Sequence, residues 1–184
     1  KRDINKSIYY LSLSANQNDS HAQSILGFIY YDGKYVERDI NKSIYYLTHA
    51  VNQNEPRAQY NLGYIYYAGK YIKRNINKSI YYLSLAANQN HSNAQYVLGV
   101  IYYDGKYIKR DINKSIYYLS LSANQNNSDT QCYFGKIYYE GEYIKQDINK
   151  SIYYYSLAAN QNDSYAQLIL GFIYYDGKYI ERDV

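Results

Sequence analysis

What this chain has little of narrows its class before any motif is read. Cys132 is its single cysteine in 184 residues, which excludes an intramolecular disulfide framework and favours a reducing compartment, so a cytoplasmic setting is expected. Methionine is absent, and the chain opens on Lys1-Arg2-Asp3-Ile4, already inside a pattern that recurs downstream. A segment of a longer array is therefore expected, and the lack of a targeting signal carries no information. With 47% hydrophobic residues and a mean hydropathy of −0.62, no run reaches the roughly 18 apolar residues that a membrane span needs. The three histidines, His21, His49 and His91, occupy three different places in the recurring pattern and do not converge as metal ligands must. Cys132 has no sequence partner to mark it as a nucleophile and reads as a small buried or half-buried thiol. No catalytic residue, metal site or cofactor is expected, and the chain is read as a non-enzyme.

What the chain does have is a 36-residue period. Asp3, Asp39, Asn75, Asp111, Asp147 and Asp183 fall on it, as do Gly33, Gly69, Gly105, Gly141 and Gly177. A repeat of this length signals a solenoid, whose units bury their apolar faces only against their neighbours. Each unit holds two stretches of helical spacing. Ala94, Val97, Leu98, Ile101 and Tyr102 lie on one face of a first helix, A, and Ile112, Ile116, Leu119 and Ala123 on one face of a second, B. The Asp or Asn that opens helix B can accept from the first free backbone N–H groups. Gly105 and its equivalents stand where a left-handed residue would close helix A, and Asn90 or Asn126 can do so after helix B. Both breaks are tight, so neighbouring helices run antiparallel and the chain stacks as helical hairpins.

In the third copy the pattern reads Ala94, Leu98-Gly99, Tyr102, Gly105, Asp111, Lys114-Ser115, Tyr118-Leu119 and Ser122-Ala123. It resembles the Sel-one-like repeat, a relative of the tetratricopeptide repeat, over essentially the whole chain. The departures are systematic: Ser follows the Lys where the family has Ala, Tyr107 replaces a second loop Gly, and Asn90 replaces the Gly after helix B. None removes an apolar core position. The expected fold is an all-α α-solenoid, a right-handed superhelix of antiparallel helix pairs. A single repeat domain, 1–184, is expected, with helix B at 3–16, A/B pairs at 20–52, 56–88, 92–124 and 128–160, a final helix A at 164–175 and an open tail at 176–184. The fourth copy is least regular, with Thr130 for the small Ala and Phe134 for Leu. The resemblance implies a protein-binding scaffold or adaptor, some relatives of which sit beside catalytic domains.

Tyrosine is the compositional oddity, at 31 residues. The series Tyr30, Tyr66, Tyr102, Tyr138 and Tyr174 falls in the apolar arc of helix A and is expected in the core. The next residues, Tyr31, Tyr67, Tyr103, Tyr139 and Tyr175, point away from the small Ala and form a ladder. In relatives the A helices line the concave surface, which implies that the ladder runs along a groove. On its side, one position varies as Phe28, Tyr64, Val100, Lys136 and Phe172, and another as Ser24, Tyr60, Tyr96, Cys132 and Leu168. These fifteen residues are the expected recognition surface for an extended peptide or partner helix, because Tyr and Phe bury large area at little rotamer cost. Lys136, the only charge among the central positions, marks a place for an acidic group of the ligand.

Helix B offers a competing strip of Tyr45, Tyr81, Tyr117 and Tyr153 with Leu85, Leu121 and Leu157. With the uncapped ends, it makes self-association into a structural array the alternative reading. A regulatory or substrate-positioning region of a larger enzyme is another. The net charge of +4 is modest, and loop cations such as Lys106, Lys109 and Arg110 are followed by Asp111. No face is thus expected to gather unopposed positive charge, and no nucleic-acid partner is expected. Nine Asn-x-Ser sequons follow from the repeat itself, five of them in the first turn of helix B, where an acceptor loop is not available.

Overall fold

The caps and breakers are realised as ten α-helices of thirteen residues among residues 3–177, the part of the chain described by the computed structural model. The B helices are α1 (Ile4–Asn16), α3 (Ile40–Asn52), α5 (Ile76–Asn88), α7 (Ile112–Asn124) and α9 (Ile148–Asn160). The A helices are α2 (Ser20–Asp32), α4 (Pro56–Ala68), α6 (Ser92–Asp104), α8 (Ser128–Glu140) and α10 (Ser164–Asp176). The repeat position of Asp183 and the end of the expected tail lie outside the described residues. Each helix B begins on the predicted cap. Asp39 accepts from the Lys42 N–H at 2.9 Å, and Asn75 does the same for Lys78 at 3.0 Å. After each helix B the backbone reverses at Asn18, Asn54, Asn90, Asn126 or Asn162, whose φ lies between 60° and 68°. Asparagine tolerates this left-handed region better than other side chains. Gly33, Gly69, Gly105, Gly141 and Gly177 close the A helices in the same region, also as the spacing predicts.

The chain divides within α6 into two compact units, Lys1–Leu98 and Gly99–Val184. In the first, Leu47, Ala50, Ala58, Leu62 and Ile65 make one buried cluster, and Ala15, Ala22 and Leu26 another. A close helix approach shapes these contacts: a Cβ on Gly63 would stand 2.8 Å from Leu83 Cγ, so only glycine lets α4 and α5 meet there. In the second unit Tyr155, Ala158, Ala166 and Ile173 form the corresponding core. Thr130, the bulky exception to the small Ala, is fully buried and shares a 2.7 Å hydrogen bond with Ser122, so its hydroxyl is satisfied inside the core.

A polar ladder, buried at Gln23, Gln59 and Gln131, joins successive repeats. Gln53 Nε2 donates to Asn18 Oδ1 at 3.1 Å and to Gln23 Oε1 at 2.8 Å. Gln89 repeats both bonds to Asn54 and Gln59 at 3.1 and 2.8 Å. In the second unit Gln161 does so to Asn126 and Gln131 at 3.2 and 2.7 Å. Each such bond contributes about 0.5–1.5 kcal/mol net, and more is lost when one partner is removed from a buried pair.

The Tyr30 series departs from its expected place in the core. Tyr30, Tyr66, Tyr102 and Tyr138 are half-buried, and Tyr174 is exposed. Each of the first four lies flat on a tyrosine of the following helix B: Tyr46, Tyr82, Tyr118 or Tyr154, with ring centroids 5.8–6.0 Å apart. The ammonium of Lys42, Lys78, Lys114 or Lys150 sits 5.1–5.2 Å from the centroid of the helix A ring. An amphipathic ring that carries a hydroxyl and a cation is better placed at the rim of the core than inside it.

Candidate functional site

The fifteen expected recognition residues divide by burial. Phe28, Tyr64, Lys136, Tyr139, Leu168, Phe172 and Tyr175 are exposed, and Tyr31, Tyr60, Tyr67, Tyr96, Val100 and Cys132 are half-buried. Ser24 and Tyr103 are corrected, since they are only 2% and 6% exposed and offer almost no surface to a ligand. Ser24 is small enough to be covered by its neighbours. Tyr103 is enclosed edge-on by Tyr133 and Tyr143, at 5.8 and 5.4 Å between centroids. Burial, with Glu140 and Glu142 adding to it, pushes its phenol up to about 12.

The ladder is therefore tied to the loops. In the first unit the Tyr31 ring meets Tyr71 of the next loop at 5.7 Å, and the Arg38 guanidinium stacks 4.2 Å from the centre of Tyr71. Arg38 also donates from Nε to Tyr31 O and from Nη2 to Asp32 O, at 2.9 and 2.8 Å, closing the free carbonyls at the end of α2. The second unit repeats the clasp with Tyr103, Tyr143 and Arg110. Sequence reasoning missed it, although Tyr35, Tyr71, Tyr107 and Tyr143 recur on the same period. Read singly, each is a loop aromatic; only the fold shows which copy it reaches.

In the first unit the structure brings Phe28, Tyr31, Tyr60 and Tyr64 together around a recess of about 260 Å³, with Asn61, Leu47 and Ile65 completing the wall. Three of the four aromatics come from positions that vary between copies, and they project from α2 and α4. The Tyr60 and Tyr64 rings are 6.1 Å apart, and Tyr60 is also stacked on His91 at 4.7 Å. The His91 Nδ1 caps α6 by accepting from the Ala94 N–H at 3.3 Å. Burial lowers the pKa of this imidazole, with the charge of Arg57 acting in the same direction, which keeps it neutral and able to accept. The recess is thus walled by rings held in place from behind.

The remaining chemistry-bearing groups are occupied otherwise. Lys136, expected to await a ligand carboxylate, pairs with Glu140 at 3.9 Å on the same helix face. Burial pushes the Cys132 thiol up to about 11, helped by Asp163 and Asp129, so it is a poor nucleophile at neutral pH. Among the described residues no three His, Cys, Asp or Glu side chains are grouped to hold a metal ion. No helix there is long and apolar enough to cross a membrane. The helix B residues Tyr45, Tyr81, Tyr117 and Tyr153 are 58–59% exposed. In the loop after α4 and the first turn of α5, Lys70, Lys73, Arg74 and Lys78 stand with Asn75 where other copies have Asp.

Antiparallel helix pairs on a 36-residue period, knit by buried glutamines and carrying aromatics that vary from copy to copy, define an α-helical solenoid repeat protein. Six successive stretches, 1–19, 20–55, 56–91, 92–127, 128–163 and 164–184, match the Sel1 repeat model, and the chain belongs to the Sel1 repeat family. Members of this family commonly act as protein–protein interaction modules and are generally non-catalytic scaffolds. Among solved structures, the chain is similar to a Sel1 repeat protein from Oxalobacter formigenes, with 31% identity over 100% of this chain and 75% of that one, at a TM-score of 0.88. It is also similar to a protective antigen present in uropathogenic Escherichia coli strains that displays an SLR fold. Identity there is 28% and the TM-score 0.85, over 96% of this chain but only 38% of the antigen. Cysteine-rich protein B of Helicobacter pylori is 27% identical over 75% of this chain and 99% of its own, at a TM-score of 0.56. No curated protein matches the chain in sequence.

Proposed function

We propose that this chain is a non-catalytic scaffold that holds an extended peptide or a partner helix along the variable side of its A helices. The observation that carries the reading is the aromatic recess of the first unit. Phe28 and Tyr64 are 51% and 40% exposed beside Tyr31 and Tyr60, although neither is needed to close the core. Large aromatics left at a recess, on positions where the copies differ, suit a site that gains binding energy from burial and selectivity from local sequence. The test is capture of partners from source-cell lysate by the purified chain beside a Phe28→Ser/Tyr64→Ser variant. Both residues lie outside the core, so the variant should keep its helical circular dichroism. Loss of captured proteins supports the site; identical capture by both chains overturns it.

A second reading, lateral self-association, rests on a different observation. Tyr45 and Tyr81 in the first unit, and Tyr117 and Tyr153 in the second, are 58–59% exposed on the B helices. A second copy would cover these rings, and light scattering that finds only monomer at high concentration rejects the idea.

A further inference from the structure

The loop that follows α4 differs from its counterpart one repeat earlier in charge and in little else. After α2, the cations Lys34, Arg38 and Lys42 alternate with Asp32, Glu37 and Asp39, and Lys42 pairs with Asp39 at 3.5 Å. After α4, the same six positions read Ala68, Lys70, Lys73, Arg74, Asn75 and Lys78. Every acid has been replaced, two by neutral residues and one by lysine, so four cations stand without an acid in the segment. The backbone does not require this. Asn75 caps α5 as Asp39 caps α3, and Arg74 closes the α4 carbonyls at Tyr67 and Ala68, at 2.8 and 3.1 Å, just as Arg38 closes those of α2. The substitutions keep the structural role of each position and change only its charge.

This loop ends against the aromatic recess. Tyr31 lines the recess and meets Tyr71 at 5.7 Å, and the Lys70 ammonium stands 5.0 Å from the centre of Tyr71. The charges of Lys70 and Arg38 reach the Tyr31 phenol. Lys70, Lys73, Arg74 and Lys78 are all exposed. Apolar walls beside a loop whose charges are all of one sign focus the field of that loop, and such a loop selects and steers a ligand of opposite sign more than it adds raw affinity.

Resting on the reading above, we infer that the ligand of the first unit is an acidic peptide segment that seats one large apolar side chain between Phe28, Tyr31, Tyr60 and Tyr64 and lays its carboxylates along Lys70 and Lys73. Arg74 and Lys78 contribute less, because the first is committed to helix carbonyls and the second lies over the Tyr66 ring at 5.1 Å.

The experiment uses the full chain and three synthetic fluorescent peptides of equal length, followed by fluorescence anisotropy at low and high salt. The first alternates Glu and Asp around a Leu and a Phe, the second has Lys at every acidic position, and the third keeps the acids but carries Ser for Leu and Phe. The first peptide should bind at least tenfold more tightly than either of the others, and its affinity should fall as salt rises. The Lys70→Glu/Lys73→Glu variant, altered only at exposed side chains, should lose tenfold or more for the first peptide and most of its salt dependence. Equal binding of the basic peptide, or an unchanged affinity in the charge-reversed variant, overturns the inference. If Phe28→Ser/Tyr64→Ser still abolishes binding in that case, the recess survives as a site and only its preference for acids is lost. Binding of none of the peptides also overturns the inference, and leaves the recess to be judged by the lysate capture.

Discussion

In the second repeat α4 and α5 meet through Leu62, Gly63 and Leu83; in the fourth, α8 and α9 meet through Phe134, Gly135 and Tyr155. A Cβ on either glycine would collide with the residue opposite, Leu83 Cγ at 2.8 Å in one case and the Tyr155 ring at 2.6 Å in the other. The backbone plan is the same: Gly69 and Gly141 take the left-handed conformation, and Asn75 and Asp147 cap the next helix. Even the closing of the helix A carbonyls is kept when Arg74 becomes Gln146, which reaches Tyr139 O at 2.7 Å as Arg74 reaches Tyr67 O at 2.8 Å. What changes is the filling. Two aliphatic side chains give way to two aromatic ones, and Thr130 with Ser122 adds a hydrogen bond where the second repeat has buried alanines. Positions that set the chain direction are held, while positions that fill volume are free to change together.

The largest effect should come from emptying the altered contact. Phe134 is 1% exposed and its ring lies 4.8 Å from that of Tyr154, so Phe134→Ala is expected to cost about 3–5 kcal/mol, against about 2–5 kcal/mol for Leu62→Ala in the second repeat. Urea unfolding of both variants measures the difference. A Phe134→Ala cost below that of a surface substitution would mean that the fourth repeat is loosely filled, and that its aromatics are not the equivalent of the Leu pair.

A middle-sized effect tests the shared plan. Gln59 and Gln131 are 1% and 2% exposed and each accepts from the glutamine one repeat on, at 2.8 and 2.7 Å. Gln59→Ala and Gln131→Ala should therefore destabilise alike, by about 1–3 kcal/mol each, because each loses two hydrogen bonds worth about 0.5–1.5 kcal/mol apiece. Gln167 holds the same repeat position but is exposed, and among the described residues its side chain bonds only to Ala159 O at 3.2 Å, so Gln167→Ala should fall within about 0.5 kcal/mol of the parent. Thermal unfolding distinguishes these outcomes, and a large loss at Gln167 would show that the ladder matters through something other than burial.

How much of this was legible beforehand differs between the two kinds of position. The period, the N-caps at Asp39 and Asn75 and the left-handed Asn and Gly residues could be read from sequence, because each acts through its own backbone and a local rule suffices. The Gln ladder could not be read that way: Gln53 and Gln23 are thirty residues apart, and glutamine carries no strong local preference to betray a buried role. The burial of Tyr103 was misread for a related reason. Helical spacing gives the direction of a side chain from its own helix, but Tyr143 and Tyr133, which enclose it, arrive from another loop and another helix. The recess was legible in its members and not in its shape, since Phe28, Tyr31, Tyr60 and Tyr64 all stood among the expected residues. The uneven loop charge was in the sequence throughout, and the third copy, where Asp111 follows the cations, hid it.

The smallest effect sharpens the comparison because it should change sign. Each helix B carries a serine as its fourth residue, and in both repeats it is fully buried: Ser79 in the second and Ser151 in the fourth. Ser151 Oγ donates to Gly135 O at 2.8 Å, across the helix contact that the bulky Tyr155 occupies. The Ser79 hydroxyl has no hydrogen-bond partner among the described residues. An unpaired buried hydroxyl costs free energy that a paired one recovers, and alanine is the better helix former. Ser79→Ala is thus expected to stabilise by about 1 kcal/mol, and Ser151→Ala to destabilise by about 0.5–1.5 kcal/mol. Both differences are within reach of paired denaturant titrations. If the two substitutions shift the midpoint in the same direction, the hydroxyl pairing does not separate the repeats, and the aromatic filling of the fourth repeat stands alone as the difference between them.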